Sequence, residues 1–194
     1  MSAFRLIAAA TLVAASTPAS AQQNTNIRGT VSAFDGKVIT IKSNAGQDVS
    51  VDMPENVVPS ITKAFTMADV KPGMKLGVTT IKRGDQTIAI DVRPISAQAP
   101  EGLSDYDLQP QSTMTNAIAD AVVTATGGNE ITLNYKTGVV KVLVPPGTPM
   151  SQAAPGQRAD VKAGETIFVA ARNEGGKLTA VRVQVSKDGV KPTQ

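Results

Sequence analysis

Hydrophobic and polar residues alternate along much of the chain, which is the pattern of half-buried β-strands. Residues 48–53 alternate without interruption and end before Pro54, and residues 37–42 alternate in the same way. Polar turns separate these two runs from each other and from the run that precedes them. One of these turns, Asp35-Gly36, is typical of a tight hairpin. We predict strands over 27–34, 37–42, 48–53, 74–82, 87–93, 130–135, 139–144, 166–172 and 178–185.

One segment breaks this alternation before the fourth strand. Within residues 60–68 no strict period of two is present, and Thr66 is followed three positions later by Asp69. This is the spacing of a helix N-cap and an acidic partner in the first turn. We therefore predict a short helical turn here, ended by Pro72-Gly73.

The chain also repeats itself with an offset of 91 residues, because Asp69-Val70-Lys71 reappears as Asp160-Val161-Lys162. Gly46 meets Gly138 one residue late, which indicates a single insertion in one loop. Solenoid repeats are about 20–50 residues long, so a period of this length predicts duplicated small domains. Further matched pairs are Gly36 with Gly127, Pro54 with Pro145, Gly73 with Gly164, Gly84 with Gly175, Ile27 with Ile118 and Val31 with Val122.

Three strands, a short helix and two further strands follow the element order of a small OB-type barrel. We predict an all-β protein of two tandem OB-like β-barrels, with about five strands and one helical turn in each. The first domain covers 22–95, a linker covers 96–116, and the second domain with its tail covers 117–194. A pair of open antiparallel sandwiches is the alternative that the pattern leaves open.

The first 21 residues have the pattern of a secretory signal peptide. Arg5 precedes an apolar run, Pro18 breaks the segment, and Ala19 and Ala21 occupy the small-residue positions of a cleavage site. The apolar run of about ten residues is too short to cross a bilayer, which needs about twenty. We predict cleavage after Ala21 and a periplasmic location, and we do not predict an integral membrane protein.

The linker carries apolar side chains that a flexible spacer would not need. It is rich in Ser, Gln, Pro and Ala, but it also contains Tyr106, Leu108 and Met114. We predict that these three side chains pack across the junction and fix the two domains against each other.

The composition removes several kinds of chemistry. The chain has no Cys, no His and no Trp, so disulfides, thiol catalysis, a His general base and the usual zinc sites are excluded. Hard cations would need carboxylates, and Asp105-Tyr106-Asp107 lacks the Gly and the closing Glu of a calcium loop. The methionines form no close pair of the kind that copper(I) would require. We therefore predict no metal site and no cofactor.

The sequence contains no motif for a catalytic nucleophile, and we predict no catalytic residue. A formal net charge of +3 is too small to indicate a polyanion partner. The aromatic residues of the predicted strands, Phe34, Tyr135 and Phe168, do not recur at matching repeat positions. An aromatic platform for nucleic acid is therefore not expected, and packing in the core is the default for all three.

Particular motifs give the chain a family resemblance. Gly-Thr-Val at 29–31 and Asp-Val-Lys-Pro-Gly at 69–73 resemble the small β domains of unknown function found in bacterial envelope proteins. The segments 107–116 and 144–149 make the whole chain after the signal similar to an exported proteobacterial family with two tandem OB-like domains. Its members are often labelled "metal ABC transporter permease". A permease needs several apolar spans of about twenty residues, and no such span follows the signal.

The residues and the resemblance together favour a non-catalytic binding or assembly module outside the cytoplasm. The partner would be an envelope protein or a small ligand, and the sequence does not define an oligomeric state. The family label alone suggests a soluble periplasmic accessory to metal transport as the alternative. An enzyme acting on envelope carbohydrate is the third possibility.

Overall fold

A computed structural model describes residues 24–193 and consists almost entirely of β-strands, which confirms the all-β prediction. The predicted signal peptide, with its cleavage positions Ala19 and Ala21, lies outside the described residues. Two 3₁₀ helices cover Met67–Asp69 and Arg158–Asp160. The strands of the described chain are β1 Asn24–Phe34, β2 Val38–Ser43, β3 Asp48–Asp52, β4 Ser60–Ala64, β5 Lys75–Arg83, β6 Gln86–Pro94, β7 Gly102–Asp105, β8 Thr113–Ala125, β9 Gly128–Tyr135, β10 Gly138–Val144, β11 Ser151–Pro155, β12 Thr166–Glu174 and β13 Lys177–Val185.

These strands form two sheets. Sheet A has seven strands in the order β11-β4-β13-β12-β1-β2-β3, and sheet B has six in the order β5-β6-β10-β9-β8-β7. In sheet A, β13 also pairs with β3, and in sheet B, β5 also pairs with β8. Each sheet therefore contains a ring of five strands whose pairing closes on itself.

Each ring encloses its own apolar core, because alternate side chains of every strand point to its inside. The two sets of buried side chains share no residue, and their burial is the main stabilising contribution to each ring. In sheet A the core includes Ile27, Val31, Ile39, Ile41, Val51, Ile167, Val169 and Val185. In sheet B it includes Leu76, Val78, Val92, Ala117, Ala119, Ile131, Leu133 and Val142.

Each closed ring combines strands of both repeat units. In sheet A, β1, β2 and β3 of the first unit join β12 and β13 of the second, while β5 and β6 of the first unit complete the ring of sheet B. The structure thus differs from the expected division into 22–95 and 117–194, in which each unit completes its own barrel. The two units present the same strand pattern, so the hairpin of either one fits the open edge of either ring.

The exchange keeps the strand register of the two units equivalent. The pair that closes sheet A is Thr179 with Asp52. Ile88 lies 91 residues before Thr179 and Leu143 lies 91 residues after Asp52, and these two residues form the corresponding pair in sheet B. In the first strand of each unit the offset is 88, since Thr30 faces Thr166 whereas Ile118 faces Lys75.

The predicted matches of Ile27 with Ile118 and of Val31 with Val122 are therefore wrong by three positions. By register, Val122 corresponds to Phe34, which ends β1. The hairpin of β8 and β9 extends three pairs beyond Val122, and these extra residues displace the match.

The two sheets are joined by a short ribbon that alternation did not predict. β4 and β11 pair antiparallel with Thr62 opposite Ala153, and these two residues are themselves 91 positions apart. A pseudo-two-fold axis that relates the units therefore passes through this pair. β4 also pairs with β13, and Met150, just before β11, bridges to Val92 of β6.

The prediction of a helical turn within 60–68 is partly wrong, because part of this segment belongs to the ribbon. Residues 60–64 form β4, and only Met67–Asp69 form a 3₁₀ helix. Within residues 24–193, no helix combines the length and the apolar character needed to cross a membrane.

Candidate functional site

Three arginines and two aromatic rings alternate in one stack where the two sheets meet. The guanidinium of Arg28 lies 5.6 Å from the ring centroid of Tyr106 and 5.3 Å from that of Phe168. Arg93 lies 6.0 Å from the Tyr106 ring on one end, and Arg182 lies 4.8 Å from the Phe168 ring on the other. These distances suit cation–π contacts. We call this arrangement the arginine–aromatic stack.

Strand periodicity places the side chains of Arg28 and Phe168 outside the ring of sheet A. Arg28 faces Phe168 across the β1–β12 pairing, and their neighbours Ile27 and Val169 point into the core. Phe168 is nevertheless only 1% exposed. An outward-facing phenylalanine this buried is covered by other parts of the chain, and here the Arg28 and Arg182 guanidiniums lie against its ring.

One end of the stack is anchored by a buried carboxylate. Asp91 is fully buried and accepts hydrogen bonds from Arg93 Nη1 and from Thr193 Oγ1. Burial raises the pKa of Asp91, against the opposing influence of the Arg93 charge. The second Arg93 nitrogen, Nη2, lies 3.6 Å from the Sδ atom of Met114.

A second carboxylate holds the middle of the stack. Asp107 accepts hydrogen bonds of 2.8 and 3.2 Å from Arg28 and of 3.1 Å from Asn26. Burial opposes the ionisation of Asp107, but the bonds from Arg28 and Asn26 outweigh it and lower its pKa. Burial also opposes the charge of Arg28, whereas the bond to Asp107 and the nearby Tyr106 hydroxyl raise the Arg28 pKa overall.

The structure places the three linker residues near this junction. Tyr106 lies in the stack between Arg28 and Arg93, which belong to different sheets. Met114 is 6% exposed and contacts Arg93, while Leu108 lines a pocket of about 310 Å³ beside Arg28. The linker also contains β7, which pairs with β8 and extends sheet B.

The glycines singled out by the repeat are turn residues and do not line the junction pocket described next. All six have positive φ angles, a conformation that glycine adopts without steric cost. They are Gly36, Gly73, Gly84, Gly127, Gly164 and Gly175.

Beside the stack lies a pocket of about 460 Å³, which we call the junction pocket. This volume falls in the usual range for small-molecule sites. Two arginines line it, and none of its lining residues in the described chain carries a carboxylate. The lining comprises Asn26, Arg93, Pro94, Ile95, Ser96, Ala99, Ser104, Tyr106, Met114, Asn116, Ala153, Phe168, Ala170 and Arg182.

The junction pocket lies where the two repeat units differ. Phe168 of the second unit corresponds to Gly77 of the first, 91 positions earlier. A Cβ atom at Gly77 would lie only 3.0 Å from Ile95 Cγ2 and 3.3 Å from Asn116 Oδ1, two residues of the pocket wall. The missing side chain therefore leaves room for that wall.

Two further differences place the charges of the site. Arg182 corresponds to Asp91, and Arg93 corresponds to Gln184. Matching the repeats by identity hides these positions, because it selects the core and turn residues that stayed the same. The signal that could have found them is a difference between the units: a charged or aromatic residue at an outward-facing strand position where the other unit has a different residue.

The described residues contain no group of three or more Asp, Glu, His or Cys side chains placed to hold a metal ion. Comparison with family models, with curated proteins and with solved structures gives no match.

Proposed function

We propose that this protein is an exported, periplasmic, non-catalytic binding module built from two OB-like barrels. Each closed ring supports this reading, since it combines three consecutive strands with a hairpin, in the strand number of an OB-type barrel. The 3₁₀ helices precede the hairpins, at Met67–Asp69 and Arg158–Asp160, where the OB order has its helix.

The observation that carries the proposal is the junction pocket. A concave site lined by aromatic rings and a few polar groups is the usual form of a small-ligand site. Two carboxylates hold the stack that borders it, one of them fully buried at Asp91, so the guanidiniums of Arg28 and Arg93 are fixed in place. Preorganised groups bind with a smaller entropic cost.

Native mass spectrometry of the protein isolated gently from its own envelope fraction tests this proposal. We expect a bound partner or a small molecule that is released unchanged when the protein is unfolded. The comparison is with the variant Ala153→Leu, in which a larger side chain at an exposed position of the pocket lining fills the junction pocket and should prevent binding. A species that binds this variant equally, or no bound species on either protein, contradicts the proposal.

A further inference from the structure

We propose that the junction pocket binds a small hydroxylated acid, meaning a sugar acid or sugar phosphate that joins one anionic group to several hydroxyls. This inference rests on the proposed binding function and names the ligand class of the same site.

The charges around the pocket select an anion. Arg93 and Arg182 line it, and Arg28 lies between the rings of Tyr106 and Phe168, which also line it. The Asp91 and Asp107 carboxylates lie outside its lining, where they bind Arg93 and Arg28. A ligand in the pocket therefore meets guanidinium groups, which bind carboxylate and phosphate oxygens well.

The three guanidiniums also repel one another. Partial removal from water and the positive charges of Arg93 and Arg28 lower the pKa of Arg182, while Tyr106 acts in the opposite sense. An anion in the pocket would lie beside Arg93 and Arg182 and offset the positive potential there, which adds to its direct attraction to these two arginines.

The neutral lining groups indicate hydroxyls on the ligand. The Asn26 amide nitrogen donates to Asp107, and that of Asn116 donates to the Pro100 carbonyl oxygen at 3.2 Å. These bonds leave the two amide oxygens as acceptors, and Ser104 adds a hydroxyl at the rim. Acceptors next to cations suit a molecule that carries both hydroxyl donors and an anionic group.

The aromatic rings and the size of the pocket limit the ligand further. Tyr106 and Phe168 provide apolar walls, against which the C–H face of a sugar-like ring can pack. A second pocket of about 480 Å³ offers a useful contrast, since it is lined by Lys37, Asp52, Glu55 and Lys177 and so carries both charges. Lys177 and Asp52 pair there at 2.9 Å, so the second pocket does not select one sign of charge.

Isothermal titration of the protein without its signal tests the proposal, with galacturonate, glucose 6-phosphate, inorganic phosphate and glucose as the probes. We expect at least one of the two hydroxylated acids to bind with a Kd below about 1 mM, and glucose and inorganic phosphate to bind at least about tenfold more weakly. The galacturonate and glucose 6-phosphate titrations distinguish a carboxylate from a phosphate ligand.

Three variants locate the binding. Arg182→Gln is expected to weaken the acid at least about tenfold. Ala153→Leu, which fills the pocket and keeps every charge, is expected to do the same. Arg83→Gln makes the same charge change on an exposed residue at the end of β5 and should leave binding unchanged. The thermal midpoint of each variant verifies that it is folded.

Several results would overturn the proposal. Equal binding of glucose and the acids removes the role of charge, and equal binding of inorganic phosphate removes the role of the hydroxyls. Unchanged affinity in both Arg182→Gln and Ala153→Leu places the site elsewhere, and failure of both acids to bind removes the ligand class. A species that is still isolated with the protein from the envelope, and lost in Ala153→Leu, would leave the binding function standing.

Discussion

At the scale of single residues, the pair of Asp91 and Arg93 shows what the junction between the sheets costs. Both side chains are almost fully removed from water, with exposures of 0% for Asp91 and 9% for Arg93. Withdrawing two charges from water costs several kcal/mol per ion, and only close pairing offsets that cost. The pair therefore contributes little net stability while intact, but either partner alone is strongly destabilising.

We predict that Arg93→Met lowers the free energy of unfolding by about 3 kcal/mol, because it leaves the Asp91 carboxylate buried without its cation. The double variant Asp91→Asn with Arg93→Met removes both charges and should recover at least about 1 kcal/mol of that loss. Urea denaturation followed by circular dichroism measures all three proteins. A double variant as unstable as Arg93→Met alone would show that packing, not charge, determines the loss.

At the same scale, the sequence predicts backbone requirements better than the site. Gly36 and Gly84 could be assigned to turns because hairpins need positive φ angles, which are +92° and +57° in the structure. Phe168 could not be assigned to the stack in the same way. Strand alternation places it outside the ring of sheet A, but only the position of the other sheet determines that it is buried there.

At the scale of elements, β1 has no room for a side chain at one residue, Gly29. Gly29 pairs with Ser43 of β2 and with Ile167 of β12, so backbone lies on both sides. A Cβ atom there would lie 2.1 Å from the Lys42 carbonyl oxygen and 2.8 Å from Ser43 Cα. Because these are backbone atoms, they cannot move aside as a side chain would.

We predict that Gly29→Ala destabilises the protein by about 3 kcal/mol through this overlap. Thr30→Ala, at the exposed neighbouring position, is the control and should change stability by less than about 0.5 kcal/mol. Thermal and urea unfolding measure both. Equal stability of Gly29→Ala and Thr30→Ala would contradict the prediction.

The second unit has an alanine at the corresponding position, Ala117 of β8. Ala117 precedes the first β8–β9 pair at Ile118, so its side chain avoids such crowding.

Alternation identified nine strands and missed four. Two of the missed strands are β7 and β8, of which β8 supplies Ala117 and Ala119 to the core of sheet B. The other two are β4 and β11, which form by contact between the units. β4 and β11 read Ser-Ile-Thr-Lys-Ala and Ser-Gln-Ala-Ala-Pro, with no period of two. They become strands because the pseudo-two-fold axis places each opposite the other.

The 3₁₀ helix of the first unit was predictable in part, because the Asp69 carboxylate does accept hydrogen bonds from the backbone N–H and the hydroxyl of Thr66, at 2.9 and 2.7 Å.

At the scale of the whole molecule, the exchange of hairpins makes the two halves depend on each other. The repeat predicts that two similar rings exist, but local pattern is identical for a hairpin in its own ring and in the other one. Which ring it completes depends on the path of residues 53–74 and 144–165, and β4 and β11 within these segments pair with each other at the axis. The period of hydrophobic residues in the sequence does not predict this pairing.

Cleavage of the connection between the halves gives a sharp test of the exchange. Residues 96–98 form an exposed turn, and a specific protease site inserted after Ala97 would separate β1–β6 from β7–β13. Each ring then contains strands from both fragments. We predict that the cleaved fragments stay together in size-exclusion chromatography under native conditions.

The thermal midpoint distinguishes exchange from simple docking of two separately folded halves. If the rings are shared, unfolding releases two chains at once, so the midpoint of the cleaved protein rises with concentration while that of the intact protein stays constant. Two fragments that unfold at their own concentration-independent midpoints, or that separate without denaturant, would show that each unit completes its own barrel. The junction pocket would then lie between independent domains, whereas the exchanged rings make its walls part of one cooperative structure.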